Sequence, residues 1–429
     1  MKTMWTAARI AGRRLLKRDV GDTDVALGEL LTEELDAMKG LAMKLGQIVS
    51  YMGVPLPPEI ERSMTRLQTG MSGMDAHETR TVVEQAFGRE LEQLFEAFDL
   101  DPVAAASIGQ VHRARFESRE VAVKLRYPHI SREFDHDLGM VDRIAGMASL
   151  ASAVDGRSIV RELAARLQEE CDYAREARMQ ASFRLAFLDD EDVEIPEVVS
   201  SRSSDCVLTS HWVEAMDFAT MCETASPQHK RRVAAILARF AYRSMLNLGT
   251  IQADPHPGNY LFRSEGPVVF LDFGCVRVLP RPLINSLRRQ ILSVRDDDHD
   301  AFRESCVELG VVGKLRRFDF EHFFMVMEHL YRPLLHGRFH VTTQYIREGM
   351  ALNGPTSPNA RTMSIPPAYV WIMRLQWGLW AVLSKLDVEA DYASVLDTVL
   401  AQGHLGLPAA EGPTDPDVRD LADRRRATV

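Results

Sequence analysis

Cysteine is scarce and unpatterned in this chain: Cys171, Cys206, Cys222, Cys275 and Cys306 include no CxxC pair. Zinc ribbons and disulfide frameworks need paired spacings, so neither is indicated, and a reducing compartment fits best. A basic surplus is missing too. The formal net charge of −10 over 429 residues gives no support to nucleic-acid binding as a whole-chain property, while leaving room for local basic patches. The N-terminus lacks the apolar core of a signal peptide. Only Ala368–Leu386 invites a membrane reading, and Arg374 and Gln376 at its centre are costly in lipid. A buried helix is expected there instead.

What is present is ordinary for a folded chain: 46% hydrophobic and 26% charged residues, and length enough for two or three domains' worth of core. The first 18 residues carry Lys2, Arg9, Arg13, Arg14, Lys17 and Arg18 without an acid, with Trp5, Ile10, Leu15 and Leu16 sharing part of one helical face. That pattern fits a basic amphipathic helix on anionic lipid, or a plain solvated leading helix. Leucines and methionines at three- and four-residue spacing predict helices over 24–52, which include Lys44, Gly46 and Gln47, and a further helical run over Ala76–Phe98.

The chemistry is concentrated in IQADPHPGNYLFRSEGPVVFLDFGCV, residues 251–276. Asp254 is followed five residues later by Asn259, and then, after the apolar run Val268–Leu271, by Asp272-Phe273-Gly274. Kinase-like phosphoryl transfer uses this arrangement. One carboxylate meets the nucleophile, while an amide oxygen and a second carboxylate hold Mg²⁺ against the phosphates. Upstream, DPVAAASIGQVHRARF aligns with a glycine-rich phosphate loop in the register Ala104, Ala106, Gly109, Val111, with alanine at the first two glycine positions. Each added Cβ restricts the backbone's approach to phosphate. Thirteen residues after Val111, Lys124 lies on the opposite face of a strand from Val121, Val123 and Leu125, the place of a lysine that holds α- and β-phosphates. A long helix is expected over Ser158–Gln180, with Ser158 as N-cap; its acids include Glu162, Glu169, Glu170, Asp172 and Glu176, of which one should pair with Lys124. After DFG there is no APE and no room for a long activation segment, which argues against a protein substrate.

LAMKLGQIVS, PVAAASIGQVHRAR, VAVKLRYP, EECDYAREA, DPHPGN and LDFG, in this order, resemble the UbiB family of atypical kinases, which includes the AarF and ADCK proteins. The resemblance runs from about residue 20 to residue 390. It implies an α+β, atypical protein-kinase-like two-lobed fold with a helical N-terminal KxGQ extension and a mostly helical C-lobe. The implied division is an extension over 1–98, an N-lobe over 99–215, a C-lobe over 216–408 and a polar tail over 409–429. It further implies binding of ATP or ADP with Mg²⁺, ATP hydrolysis in association with membranes and isoprenoid lipids, and support of isoprenoid-quinone biosynthesis. Residue by residue, Lys44, Gly46 and Gln47 become the KxGQ motif, and Ala104, Ala105, Ala106, Ser107, Ile108 and Gly109, with Val111, the alanine-rich loop. Lys124 becomes the nucleotide lysine, Glu176 its partner, Glu170 and Asp172 the ExD pair, and Asp254, Asn259 and Asp272 the catalytic and metal-binding set.

Geometry adds one caution: on an ideal helix Glu170 and Asp172 point about 200° apart and cannot share one ion. Gln252 replaces the expected histidine before the catalytic loop, weakening its support, and TSHWVEA lacks an acid near His211 and a glycine at Ala215. No membrane-spanning pair closes the chain, so membrane contact is expected to be peripheral, on the inner face, by a cytoplasmic protein. The expected partners are nucleotide, anionic or isoprenoid lipid and quinone-biosynthesis proteins, without nucleic acid. Two other readings compete. A small-molecule phosphotransferase of the aminoglycoside or choline kinase type shares the Asp…Asn…Asp core, and a nucleotide-gated lipid-binding scaffold would use the site without useful turnover.

Overall fold

Val121, Val123 and Leu125 are completely buried while Ala122 and Lys124 between them are not, the alternation of a strand with one face on a core. The computed structural model describes residues 73–106, 108–128, 169, 171–354 and 356–410. The helices expected over 24–52, the KxGQ residues Lys44, Gly46 and Gln47, and Ser107, Ser158 and Glu170 lie outside them. The described chain forms two compact units. One takes the residues up to Arg175 together with Val199–His211; the other takes Glu176–Val198 and the residues from Trp212 on.

The first unit opens with α1 (Ala76–Phe87), whose N-cap Asp75 and Glu78 form a reciprocal capping box. The helical run expected to reach Phe98 stops at Phe87, where Gly88 takes a left-handed C-cap. A single turn, α2 (Leu91–Leu94), follows, and Ala97–Phe98 is already strand β1. Then come β2 (Ala104–Ala106), β3 (Gly109–Phe116), β4 (Arg119–Arg126) and β5 (Val207–His211). The sheet order is β1-β3-β4-β5, all antiparallel, with β2 folded onto β3. One face packs on Val83, Phe87, Leu91 and Leu94 from α1 and α2.

A buried polar set stitches α1 to this sheet. The Gln110 side chain accepts from the Met74 amide at 2.9 Å and donates to Thr79 Oγ1 at 3.1 Å. His112 Nδ1 faces the Asp99 carbonyl at 2.8 Å, and since a carbonyl only accepts, that nitrogen carries the proton. His112 Nε2 is therefore left to accept from Gln110 Nε2 at 2.8 Å. Burial lowers the His112 pKa below the ordinary histidine range, with the Asp99 carbonyl opposing.

Helix α3 covers Tyr173–Ala186; of the helix expected over Ser158–Gln180, residues 158–168 and 170 lie outside the described residues. Cys171 is in a turn and Asp172 is unstructured, with its Oδ1 accepting the Arg175 amide at 2.8 Å. The helical pattern is thus interrupted at residues 171–172, and α3 begins after Asp172. A carboxylate that caps a helix is steered by the cap, so Asp172 does not take the direction that an unbroken helix would give it.

The second unit is mostly helical: α4 (Phe218–Thr224), α5 (Pro227–Leu246), α6 (Arg281–Arg295), α7 (His299–Glu308), α8 (Phe320–Leu335), α9 (Thr343–Leu352), α10 (Pro367–Leu386) and α11 (Tyr392–Ala401). Short antiparallel pairs punctuate it: β6 (Thr250–Gln252) with β9 (Val276–Val278), β7 (Tyr260–Phe262) with β8 (Val268–Phe270), and β10 (Arg338–His340) with β11 (Glu389–Asp391). Its core is one apolar cluster around α5 and α10. Phe240, Phe270, Phe183 and Phe273 stack within it, Phe240 on Phe270 at 3.7 Å and Phe183 on Phe273 at 5.1 Å. No described helix is long and apolar enough to cross a membrane.

Candidate functional site

Two strand pairings bring the catalytic candidates together. In the β7–β8 hairpin Tyr260 faces Phe270, and one step outward the Leu271 amide donates to the Asn259 carbonyl at 3.0 Å. Asn259 and Asp272 therefore lie at the same end of the hairpin. In the second pairing Gln252 faces Val276, fixing the segment before Asp254 against the segment after DFG. The Gln252 side-chain amide donates to the Asp272 carbonyl. The residue that departs from the expected histidine thus ties the catalytic-loop strand directly to the DFG backbone.

Asp254 is held from both sides. Asn259 Nδ2 donates to the Asp254 carbonyl at 2.9 Å and to Oδ2 at 3.3 Å. Both partners are acceptors, so the amide nitrogen is spent on them and the amide oxygen is the atom left to face a cation. Arg374 Nη2 reaches Asp254 Oδ1 at 2.7 Å, with side chains only 11% and 30% exposed. Arg374 is the charge that made α10 implausible in lipid; here it is a salt-bridge partner of the catalytic candidate. Trp371, one turn earlier, carries the Arg374 guanidinium at 5.5 Å and the Arg277 guanidinium at 4.8 Å from its ring centre. One turn later, a Cβ on Gly378 would fall 2.4 Å from Pro255 Cγ. Trp371, Arg374 and Gly378 thus form one stripe of α10 that seats the loop.

Asp272 Oδ1 accepts the Gly274 amide at 2.9 Å, which orients the carboxylate. Glu176 is 2% exposed, and a Cβ at Gly274 would lie 3.4 Å from both Glu176 Oε2 and Asp272 Oδ1. Two carboxylates converge there, an arrangement that draws a cation. Phe273 is fully buried. Tyr260 is also buried, and burial, with the charge of Asp254 adding to it, raises its pKa well above the ordinary tyrosine value.

In the first unit the phosphate-loop frame is a hairpin: Ala104 faces Val111 and Ala106 faces Gly109. Ala105 faces Gln110, and Ile108 is buried. Gly109 admits no side chain, since a Cβ would sit 2.1 Å from the Leu125 carbonyl and 2.8 Å from the Tyr173 hydroxyl. Lys124 Nζ lies 5.0 Å from the centre of the Tyr173 ring, a cation–π distance. Arg126 donates to the Cys171 and Asp205 carbonyls, and the Tyr173 amide donates to Asp205, so β4 fixes where α3 begins.

Sequence reasoning read Gln252 as weakened support where the structure gives a bond to the Asp272 carbonyl, and it missed Arg374, Trp371 and Gly378 as parts of the site. Their one signal was an arginine inside an otherwise apolar helix. Among the described residues no three His, Cys, Asp or Glu side chains gather into a self-sufficient metal site. One carboxylate and one amide oxygen suit magnesium that arrives with phosphates supplying the other ligands.

Comparisons with known proteins agree with this architecture. Residues 66–306, more than half of the chain, match the family described as ABC1 atypical kinase-like domain. The atypical kinase COQ8, mitochondrial, of Schizosaccharomyces pombe is 28% identical over 72% of this chain and 50% of its own length. The protein ACTIVITY OF BC1 COMPLEX KINASE 8, chloroplastic, of Arabidopsis thaliana is 29% identical over 70% of this chain and 40% of its own. The chain thus spans about half the length of the curated relatives it matches. A solved Rv3197–erythromycin complex from Mycobacterium tuberculosis superimposes with a TM-score of 0.67 at 28% identity, covering 88% of this chain and 96% of that one. The chain belongs to the ABC1 atypical kinase-like family, the UbiB, AarF and COQ8 proteins.

Proposed function

We propose that this protein binds Mg-ATP and works as an atypical kinase or ATPase in isoprenoid-quinone or isoprenoid-lipid metabolism at a membrane surface. The observation that carries the reading is the double restraint on Asp254, with Arg374 on one carboxylate oxygen and Asn259 on the other. An aspartate fixed in this way is a preorganised acceptor for the proton of an attacking hydroxyl or water. Asn259, through its amide oxygen, and Asp272 would hold magnesium, which when bound neutralises phosphate charge. Lys124 would meet the phosphates and pair with Glu176. The alanine hairpin Ala104–Ala106, with Gly109 and Val111, would lie along the phosphates less closely than a glycine loop, which favours slow turnover.

On the family resemblance, Lys44, Gly46 and Gln47 of the KxGQ motif and Glu170 and Asp172 of the ExD pair would regulate the site. The relatives named for mitochondria and chloroplasts support a setting beside organelle-type membranes, and the names of the COQ8 proteins support the quinone link. The test is binding of a fluorescent ADP analogue with and without magnesium. Wild type should bind at least tenfold more tightly with the ion, and Asp272→Asn should lose that gain. Equal binding by both proteins in both conditions would sink the assignment.

A further inference from the structure

One edge of the second unit combines unpaired cations with exposed aliphatic side chains. After α7 the chain makes a single 3-10 turn, Leu315–Arg317. It lies against residues 362–364 through an isolated β-bridge between Val312 and Met363 and three backbone bonds: Gly313 and Lys314 to Thr362, and Ser364 to Val311. The two loops carry Lys314, Arg316, Arg317 and Arg361, all exposed. They also carry Leu315 at 60% and Ile365 at 58% exposure.

Some exposed arginines elsewhere on this unit have acids, as Arg232 has Asp192, Arg263 has Glu194 and Arg289 has Glu308. These four cations have no ion pair among the described residues. The nearest acids in sequence are engaged: Asp319 caps α8 through the His322 amide, and Glu321 pairs with His299. The turn is mounted firmly, because Phe318 directly after it is buried with its ring 5.5 Å from that of Phe323.

We propose that this loop pair docks the protein on an anionic lipid surface. The four cations would lie at the headgroups while Leu315 and Ile365 enter the acyl boundary. Four exposed basic groups in two adjoining loops suit a surface of anionic headgroups, each adding about fivefold to binding. Branched aliphatic tips serve insertion into lipid, whereas a single-stranded nucleic acid would call for aromatic stacking, and the patch has none. Two loop tips are also too small for a stable protein interface, which needs roughly 1,000 Å². The proposal deepens the membrane-surface reading given above and rests on it, while the nucleotide site takes no part.

The experiment is sedimentation of the full chain with phosphatidylcholine vesicles containing or lacking phosphatidylserine, beside nucleotide affinity measured without vesicles. Wild type should partition onto the phosphatidylserine vesicles and be released by 0.5 M salt, as expected of exposed charges at about 3–4 Å screening length. The double variant Arg316→Glu/Arg317→Glu should bind at least tenfold more weakly, as should Leu315→Ser/Ile365→Ser, both with unchanged nucleotide affinity and melting temperature. Wild-type vesicle binding in both variants would overturn the proposal, as would binding to duplex DNA without binding to vesicles. Loss of nucleotide binding with vesicle binding intact would count against the kinase reading alone.

Discussion

Replacing Arg374 by alanine removes the cation from a pair in which Arg374 Nη2 and Asp254 Oδ1 lie 2.7 Å apart. With an effective dielectric of about 20 and charge centres about 4 Å apart, the Coulomb attraction is about 4 kcal/mol before desolvation. Asp254 keeps 30% of its side chain exposed, so water recovers much of this when the partner leaves. A stability loss of about 1–2 kcal/mol follows. The effect on turnover should be larger, because Asn259 alone, through a weaker 3.3 Å contact, would then orient the carboxylate. Misplacement of a base by a fraction of an ångström is expected to lower kcat about ten- to hundredfold. Nucleotide affinity should stay within about twofold, since the Arg374 side chain bonds Asp254, the residue assigned to the proton rather than to magnesium.

Arg374 thus acts as a positioning residue, and lysine at 374 should restore part of kcat. The assay pairs steady-state hydrolysis with nucleotide titration, for Arg374→Ala, Asp254→Asn and the double variant. A double variant no slower than Asp254→Asn would show that the arginine works through the aspartate. Additive losses, or a fall in nucleotide affinity matching the fall in kcat, would refute the reasoning.

Three further outcomes are expected. Gly378→Ala places a methyl 2.4 Å from Pro255 and should cut kcat at least tenfold while the melting temperature moves by only a few degrees. Gly109→Ala meets the Leu125 carbonyl at 2.1 Å, which no small shift relieves; a loss above about 2 kcal/mol in urea unfolding is expected, together with weaker nucleotide binding. Burial holds the His112 pKa below the ordinary histidine value of about 6.5, so below that pH the unfolded chain binds the extra proton. Its contribution to stability is therefore full above about pH 6.5 and is lost as the pH falls toward the lowered folded value. Urea midpoints between pH 5 and 7 should fall with acid more steeply for wild type than for His112→Asn; parallel slopes would remove His112 from the account.

The residues proposed for phosphate chemistry stand out in sequence because their spacing is short-range and their types are restricted. Asp254, Asn259 and Asp272 lie in the short connections that flank strands β6, β7 and β8, and Lys124 is marked by the burial of Val121, Val123 and Leu125 around it. Arg374 was legible as a charge in an apolar helix, but its partner lies 120 residues away and no local pattern names it. Gln252 was read as a loss of support because a missing histidine is visible in sequence while an amide reaching the Asp272 carbonyl is not. Periodicity failed at breaks. The run from Ala76 looks helical past Gly88, yet the chain needs Ala97–Phe98 as a strand beside β3. At Asp172, likewise, the helical pattern breaks where Arg126 holds the Cys171 carbonyl and the Asp205 carbonyl takes the Tyr173 amide.

The central claim is that Asp254, Asn259 and Asp272 form a working magnesium–nucleotide centre, and Mg²⁺-dependent ATP hydrolysis tests it most directly. The purified protein would be assayed with and without anionic liposomes, beside Asp272→Asn. The account predicts slow turnover that rises with liposomes and vanishes in the variant. Tight nucleotide binding with no turnover under any condition, or equal turnover by the variant, would contradict it.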